Sequence, residues 1–315
     1  MKLPYSLRAN QSKIIDSISL ALKERNHLVL EAPTGSGKTF TSLAAALPFI
    51  QKGDMKIVYC VRTNSQQKQV IYELQQFKKS GNEIKAVAIQ GREALCPQQK
   101  NDAELKKSNW SEKSKICKSL KLKSKLGENG CSFYSKLLKG GDSLTKKWSS
   151  EILTAQDFSK QAEEEGVCPY ELNKLMLKEA QVVIVPYVYF FEEFIRKYML
   201  GWMGTSIDKI ILIIDEAHNL PDWARGAASE SMTIDSINRA VNEIKDYGYL
   251  LPEGRDPVFF LNLVEASIEK LAEEHIIDNE EEGHLPSNIV SLDSDVETFE
   301  TEMMSLGKMT LFRLK

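Results

Sequence analysis

The chain has 315 residues, of which 42% are hydrophobic and 27% charged, and its formal net charge at pH 7 is −3. This composition excludes a wholly disordered or collagen-like chain, and the length suggests about two domains of roughly 150 residues each. No run approaches about 18 consecutive apolar residues, which excludes a membrane-spanning helix, and the start lacks the apolar stretch of a secretory signal.

The charge is distributed unevenly along the chain. Residues 92–148 carry 14 Lys and Arg against 6 Asp and Glu, whereas residues 219–315 carry 8 against 20. A basic segment favours a phosphate backbone as its partner and an acidic segment does not, so we expect the two segments to face different partners. The alternative is that both are ordinary solvated surfaces.

The first 90 residues alternate between helical and strand-like patterns. Ile14, Ile18 and Leu22 recur at helical spacing, and short apolar runs follow between further helical patterns. In chain order the patterns predict a helix over 11–25, a strand over 27–31, a helix over 40–50, a strand over 56–61, a helix over 66–78 and a strand over 86–90. This rhythm predicts an α/β fold in which helices cover a parallel sheet.

The rhythm stops near Gly91 and resumes after a long interruption. The interrupting segment is rich in Lys, Ser, Asn and Gly, holds four of the five cysteines and shows weak apolar periodicity, so we expect a partner or a metal to stabilise it. Strand patterns return at 182–185 and 210–214. We therefore predict one α/β domain from residues 1–91 and 171–221, an insertion at 92–170, and an acidic segment at 222–315 with helices over 236–247 and 258–275.

The turn at 32–39, Ala-Pro-Thr-Gly-Ser-Gly-Lys-Thr, fits the phosphate-binding loop pattern with Ala in place of the first Gly. Its glycines let successive backbone N–H groups face a phosphate, and the helix that follows adds positive potential. We expect Lys38 to reach the β- and γ-phosphates and Thr39 to ligate Mg²⁺. The predicted nucleotide-binding residues of this turn are Pro33, Thr34, Gly35, Ser36, Gly37, Lys38 and Thr39.

Asp215-Glu216-Ala217-His218 follows directly after the apolar run at 210–214. A carboxylate at the carboxyl end of a buried parallel strand lies where Mg²⁺ needs a second ligand, so we expect Asp215 to bind the magnesium. Glu216 would orient and deprotonate the attacking water. His218 has no metal partner in the sequence pattern, and taken alone it is also compatible with a helix-capping residue.

The order of these motifs, with a cysteine-bearing insertion between them, resembles the XPD family of superfamily 2 DNA helicases, and the related DinG-type helicases share it. Arg8 and Gln11 resemble the family's adenine-reading Q motif. Residues 59–66 resemble motif Ia, which contacts the DNA backbone, and residues 182–189 resemble the strand and tyrosine segment before motif II. The resemblance covers about residues 5–225.

This resemblance implies a RecA-like helicase domain 1, an Fe–S domain at 92–170 and the start of a helical arch domain after 222. It implies ATP-driven, Mg²⁺-dependent 5′–3′ translocation on single-stranded and forked DNA, with duplex unwinding and a role in DNA repair. The catalytic residues would be Lys38, Asp215, Glu216 and His218. The DNA contacts would be Arg62, Thr63 and Tyr187.

Cys96, Cys117, Cys131 and Cys168 are separated by 20, 13 and 36 residues, and no Cys-x-x-Cys pair exists, so spacing alone leaves a metal site undecided. Leu95-Cys96 and Val167-Cys168-Pro169-Tyr170 resemble the first and last ligands of the family's [4Fe–4S] cluster. The resemblance therefore implies four thiolate ligands for such a cluster, with zinc as the competing metal. Cys60 lies inside a predicted strand, which indicates a core residue.

The basic insertion offers cations for phosphates and aromatic rings for bases. The alternative is that the rings pack the small domain and the lysines are solvated. The candidate residues are Lys106, Lys107, Lys113, Lys115, Lys118, Lys121, Lys123 and Lys125, with Trp110, Phe133, Tyr134 and Trp148.

Two further expectations concern the domains that the chain contains and the cellular compartment in which it acts. The family's motor has a second RecA-like domain with arginine fingers, and no matching motif follows His218, so we expect an amino-terminal half whose second domain a separate chain could supply. The alternative function is a catalytically incompetent ATP- and DNA-binding fragment or regulatory module; a small-molecule kinase is disfavoured by the Asp-Glu-Ala-His motif. Five cysteines without a signal segment favour a reducing cytoplasm.

Overall fold

The computed structural model divides the chain into two compact units, Met1–Leu220 and Pro221–Lys315. Within them the structure describes residues 1–51, 55–101, 105, 110–228, 234–248, 257–259, 261–262, 264–266 and 269. Among the helices of these residues, none is both long enough and apolar enough to cross a bilayer.

Four parallel strands form the sheet of the first unit, in the order β2-β3-β1-β4. Most of their residues are Val, Ile or Ala, and β1 to β3 are almost wholly buried, as expected when both faces of a parallel sheet are covered. Their bounds are Lys56–Val61 for β1, Ala86–Ala88 for β2, Val182–Pro186 for β3 and Ile210–Ile214 for β4. The predicted α/β fold with a parallel sheet is confirmed.

Two helices, α2 (Lys38–Ile50) and α3 (Asn64–Lys79), pack on this sheet, and α1 (Gln11–Glu24) packs on α2. Most residues of α2 are buried, chiefly small and aliphatic ones, and Phe40 stacks on Phe77 of α3 with ring centroids 5.6 Å apart. All three helices begin within three residues of the sequence prediction, because their apolar periodicity matches the face that they bury.

The strand predicted over 27–31 is not present as a strand. The segment has no regular secondary structure, and Val29 is 93% exposed. Its residues pair with none of the four described strands, so its backbone groups have no ladder partner there. The apolar run that predicted a strand therefore leads into the turn at 32–39 in an irregular conformation.

The insertion is more helical than its weak periodicity suggests. Its helices are α4 (Arg92–Leu95), α5 (Gln98–Asn101), α6 (Trp110–Lys125), α7 (Ser132–Trp148), α8 (Ala155–Glu164) and α9 (Pro169–Met176). Leu95, Ile152 and Ala155 belong to the hydrophobic cluster of the sheet, so the base of the insertion shares the core of the α/β domain.

The remaining described α-helices are α10 (Tyr187–Phe191), α11 (Glu193–Met203), α12 (Leu220–Ala228) and α13 (Ile234–Tyr247), and short 3₁₀ turns lie at Ile207–Lys209 and Ala217–Asn219. The helix predicted over 236–247 is present as α13, within two residues at its start. The helix predicted over 258–275 lies mostly outside the described residues.

Candidate functional site

A cavity of about 320 Å³ lies at the carboxyl ends of the strands, where the turn after residue 31 meets the segment after β4. Two regions far apart in sequence therefore share one cavity, although among the described strands only β4 leads directly into one of them, the Asp215–Glu216 segment. The predicted site residues among its lining are Arg8, Gln11, Thr34, Gly35, Ser36, Gly37, Lys38, Thr39, Asp215 and Glu216.

The turn at 34–39 has the backbone of an anion-binding loop. Gly35 and Gly37 have φ angles of 80° and 87°, which favour glycine, and Gly37 immediately precedes the first turn of α2. Lys38 Nζ donates to the backbone oxygen of Ala32 at 2.9 Å and lies 3.5 Å from that of Pro33. Among the described residues, Ser36 Oγ is buried without a hydrogen-bond partner, so the loop presents a polar atom that a phosphate could satisfy.

Arg8 and Gln11 attach the amino-terminal segment to this loop. Arg8 donates from its guanidinium to the backbone oxygen of Gly35 at 3.2 Å, and Gln11 Nε2 donates to the backbone oxygen of Ser36 at 2.9 Å. Gln11 Oε1 in turn accepts the backbone N–H of Arg8 at 2.9 Å. The two residues predicted to read adenine thus also hold the loop in place.

Asp215 and Glu216 leave β4 directly beside the loop. The backbone N–H of Asp215 donates to the oxygen of Cys60 at 2.9 Å, which carries the strand register into the motif. Burial raises the pKa of Asp215, the neighbouring charge of Glu216 raises it further, and Lys38 acts against both. Thr39, Asp215 and Lys38 therefore bring together the oxygen ligands and the cation that a magnesium–phosphate group needs.

Tyr187, predicted to contact DNA, and His218, predicted to be catalytic, are both absent from the cavity lining. Tyr187 is 2% exposed, and its hydroxyl donates to the backbone oxygens of Asp215 and Glu216, at 3.1 Å for Glu216, so it supports the backbone of the Asp215–His218 motif (motif II). The side chain of His218 is 71% exposed and lies outside the cavity lining, with Nδ1 3.2 Å from Glu216 Oε2.

Arg62 and Thr63 are exposed in the turn after β1, the strand next to β4. Thr63 caps α3 in a capping box with Gln66, which fixes the start of that helix. Arg62 Nη1 donates to Asn219 Oδ1 at 2.5 Å, so the turn after β1 contacts the turn after β4.

Six residues of the cavity lining were not predicted as site residues from the sequence: Tyr5, Ser6, Phe40, Gln66, Gln69 and Glu73. Glu73 Oε2 is buried without a hydrogen-bond partner among the described residues, and burial raises the pKa of this carboxyl. Burial also raises the pKa of Tyr5 to about 12, with the charge of Glu73 as a second cause. A helix-surface glutamate gives no signal in the sequence that distinguishes it from a solvated one.

The four insertion cysteines lie at helix ends or, for Cys117, within α6. Burial raises the pKa of Cys117, Cys131 and Cys168, to about 12 for Cys168, and the charge of Cys96 raises all three further. The thiols thus lie within electrostatic reach of one another. Among the described residues, however, no three His, Cys, Asp or Glu side chains are placed to hold a single metal ion.

A compact ionic group lies within electrostatic reach of Cys117 and Cys168. Glu171 pairs with Lys121 at 2.7 Å and with Lys174 at 3.2 Å. Burial raises the pKa of Glu171, but the hydrogen bond from Lys121 and the charge of Lys174 bring it below its usual range. Arg92 lies 5.1 Å from the centre of the Tyr170 ring. These contacts give the small domain polar links that its weak apolar pattern did not indicate.

Several residues predicted to bind DNA instead stabilise the insertion. Tyr134 and Trp148 are 8% and 3% exposed, and Trp148 packs edge-on against Phe158, so these rings form core rather than base-stacking surface. Lys113 pairs with Glu93 at 2.6 Å. The lysines of α6 that remain exposed are Lys115, Lys118, Lys123 and Lys125. Lys106, Lys107 and the side chain of Trp110 lie outside the described residues.

The parallel sheet and the glycine turn at its carboxyl edge define a protein of the P-loop α/β class. The sequence profile of the DEAD_2 family matches residues 59–237, more than half of the chain. The chain therefore belongs to the DEAD_2 family of XPD- and DinG-type helicases.

Named relatives are similar to most of this chain. It is 27% identical over 290 residues to the regulator of telomere elongation helicase 1 homolog of Caenorhabditis briggsae, and 25% identical over 264 residues to the general transcription and DNA repair factor IIH helicase subunit XPD of Arabidopsis thaliana. The alignments cover 80% and 77% of this chain but 27% and 34% of those proteins. The chain thus spans about a quarter to a third of the length of these relatives.

Among solved structures, an XPD helicase matches with a TM-score of 0.52 and 20% identity, covering 96% of this chain and 48% of that chain. At this level of identity the match supports a shared fold.

Proposed function

We propose that this chain is the ATP-binding part of a 5′–3′ DNA helicase of XPD type that acts on single-stranded and forked DNA in DNA repair. The observation that carries the proposal is that the loop at 34–39 and the carboxylates Asp215 and Glu216 line one cavity. In this proposal residues 1–91 and 171–221 form helicase domain 1, residues 92–170 form the Fe–S domain, and residues 222–315 begin the arch domain. A reducing, cytoplasmic location stays a prediction.

The chemistry follows from the residues at the cavity. Lys38 would leave the oxygen of Ala32 to bind the β- and γ-phosphates, because a phosphate offers a charge-assisted bond stronger than a backbone carbonyl. Thr39 and Asp215 would hold Mg²⁺, which when bound neutralises phosphate charge. Glu216 would orient the attacking water and accept its proton, and Arg8 and Gln11 would bind the base while holding the loop.

The DNA-facing residues lie at the same edge of the sheet. Arg62 and Thr63 would bind phosphates from the turn after β1, with the exposed lysines of α6 as a second basic surface. Because β1 and β4 are neighbours, this turn lies next to motif II, so DNA and nucleotide would bind close together.

The four insertion thiols would hold a [4Fe–4S] cluster. The donor set suits it chemically, since four thiolates bind such a cluster and each iron takes one of them. The described residues do not place three of these thiols around one point, so the chemistry of the donor set is what supports the assignment. When bound, the cluster would cross-link the ends of α4 and α9 to α6 and α7.

Full hydrolysis would need a further cation beyond those of the described cavity lining. The lining contains Arg8, already bonded to the loop, and Lys38, whereas transition-state charge in such motors is also stabilised by an arginine finger. The alternative is a regulatory module that binds ATP and DNA without turnover. Adding a chain that carries a second motor domain distinguishes the two: restored DNA-stimulated hydrolysis supports the helicase, and unchanged hydrolysis supports the module.

The primary test is binding of MgATP by the purified chain, measured by calorimetry. We expect saturable binding that Lys38→Ala weakens by roughly 10–100-fold, because a charge-assisted hydrogen bond contributes about 1.5–3 kcal/mol. Lys13→Ala, on α1 outside the cavity lining, is the matched control. Equal affinity of Lys38→Ala and the unchanged chain would contradict the proposal.

A further inference from the structure

One side-chain amide links the turn after β1 to the turn after β4. Arg62 Nη1 donates to Asn219 Oδ1 at 2.5 Å, and Asn219 Nδ2 donates to the backbone oxygen of Glu216 at 3.1 Å. The backbone N–H of Asn219 donates to the same oxygen at 3.0 Å. Asn219 therefore contacts the proposed DNA-binding residue at one end and the residue proposed to orient the water at the other.

The backbone at Glu216 is sensitive to such a contact. Its φ angle is 50°, in the left-handed region that non-glycine residues rarely adopt, so surrounding contacts must maintain it. The Tyr187 hydroxyl contacts the Glu216 oxygen at 3.1 Å. His218 lies between the Glu216 carboxylate and Asn219 Nδ2, at 3.2 and 3.0 Å. Movement of Asn219 would thus reach both the backbone and the carboxylate of Glu216.

A second link joins the same turn to the cavity. Gln66 Oε1 accepts the backbone N–H groups of Arg62 and Thr63 at 3.0 and 2.9 Å, and Gln66 also lines the cavity. Gln66 is fixed by the capping box of α3, whereas Asn219 lies in a short turn between β4 and α12. Of the two links, the one through Asn219 ends on a proposed catalytic residue.

We propose that Asn219 is a positioning residue that couples DNA binding at Arg62 and Thr63 to nucleotide binding beside Glu216. The inference rests on the function proposed above. A phosphate bound by Arg62 competes for the guanidinium that Asn219 holds, so DNA changes the position of Asn219 and with it Glu216. By thermodynamic reciprocity, nucleotide then changes DNA affinity by the same factor.

The test measures this coupling factor in the full 315-residue chain. Affinity for a fluorescent single strand is measured with and without a non-hydrolysable ATP analogue and Mg²⁺, and affinity for the analogue is measured with and without the strand. We expect the unchanged chain to show a factor of roughly 5 or more, in the range typical of coupled sites. In Asn219→Ala we expect a factor within about twofold of unity, while each affinity measured alone changes less than about threefold.

A second variant separates positioning from folding. Asn219→Asp keeps an acceptor for Arg62 but replaces the donor to the Glu216 oxygen by a second acceptor, so we expect it to lose coupling although the contact with Arg62 stays. The control is Asn26→Ala, because Asn26 is an exposed asparagine far in sequence from residue 219, and we expect this variant to keep full coupling. A purely structural role would instead lower the melting temperature and both affinities while leaving the factor unchanged.

The outcomes distinguish the two proposals. A chain that binds neither the analogue nor the strand overturns the proposed function and this inference with it. A chain that binds both with a factor of unity, or an Asn219→Ala variant that keeps the original factor, overturns the inference alone.

Discussion

Gln11 occupies the space that a side chain on Gly37 would need. A Cβ at Gly37 would lie 2.6 Å from Gln11 Nε2, and Gly37 has a φ of 87°. Gly37→Ala therefore both strains the backbone, by about 1–2 kcal/mol, and displaces the amide that holds the loop. We expect MgATP affinity to fall by at least about tenfold and the melting temperature to fall, as measured by calorimetry and thermal unfolding.

Gly201→Ala is the control for this substitution. Gly201 lies within α11, and a Cβ added there would meet no heavy atom within 4 Å. Alanine at this position should therefore leave nucleotide affinity unchanged and stabilise the helix by about 0.5–1 kcal/mol. If Gly37→Ala behaved like Gly201→Ala, the amide of Gln11 would not be required to hold the loop.

Glu73 predicts a specific pH dependence of stability. Burial raises the pKa of this carboxyl above its usual value, so its ionisation opposes folding, and stability is lost as pH rises through the raised pKa. Glu73→Gln removes that charge. We expect the nucleotide-free variant to melt a few degrees higher than the unchanged chain near pH 8, with the difference vanishing below about pH 4.

Thermal unfolding across this pH range measures the effect. Glu83→Gln, at an exposed position in the turn before β2, is the matched control, for which no pH-dependent gain is expected. A constant difference between Glu73→Gln and the unchanged chain at every pH would show that packing, and not charge, sets the effect.

The cysteines allow a test within one chain. Cys168→Ala removes a proposed cluster ligand, whereas Cys60→Ala changes a fully buried thiol in β1. For protein purified without oxygen, we expect about four irons per chain and broad absorbance near roughly 400 nm, both lost in Cys168→Ala and kept in Cys60→Ala. A colourless protein with one zinc per chain would refute the cluster, as would equal iron in the two variants.

The exposed lysines of α6 predict the salt dependence of DNA binding. The slope of log K for DNA binding against log salt concentration is negative, and each phosphate contact on a single strand contributes about 0.7 to its magnitude. If Lys118, Lys123 and Lys125 each neutralise a phosphate, replacing all three by Ala should reduce the magnitude of this slope by about 2. Affinity for a labelled single strand between low and moderate salt measures this slope. Replacing Lys13, Lys23 and Lys78, which lie on α1 and α3, removes the same charge, and an equal loss of slope there would exclude a local role for α6.

The parts of the fold that depend on local pattern were predictable. The strand at Ile210–Ile214 matches its prediction at both ends, because five consecutive aliphatic residues favour a strand and β1 pairs with it, although only Ile211 of the five is buried. The run at 27–31 has three aliphatic residues at its centre but forms no strand, because strand formation also depends on a neighbouring ladder, which local pattern does not show. Tyr134 and Trp148 illustrate the same limit, since composition does not show whether a ring faces solvent or core.

The part of the site that depends on short local motifs could be predicted from the sequence. Glycines at 35 and 37 and the carboxylates after β4 indicate phosphate and metal chemistry through spacing alone. Gln66, Glu73 and Asn219 gave no such signal, because each acts through a partner that only the folded sheet brings close. Lys121 shows the converse: it was predicted to bind phosphate, and the structure pairs it with Glu171.

Because β2 pairs with β3, the helices that connect these two strands can change in length without disturbing the sheet. The chain leaves the sheet after β2 and returns in β3 beside it, so the helices between these two strands together form one crossover connection. Lengthening a crossover raises its closure entropy only logarithmically, by about 0.6 kcal/mol for each doubling. Designers could therefore shorten, extend or exchange the outer helices without altering strand register, provided that Leu95, Ile152 and Ala155 still complete the shared core.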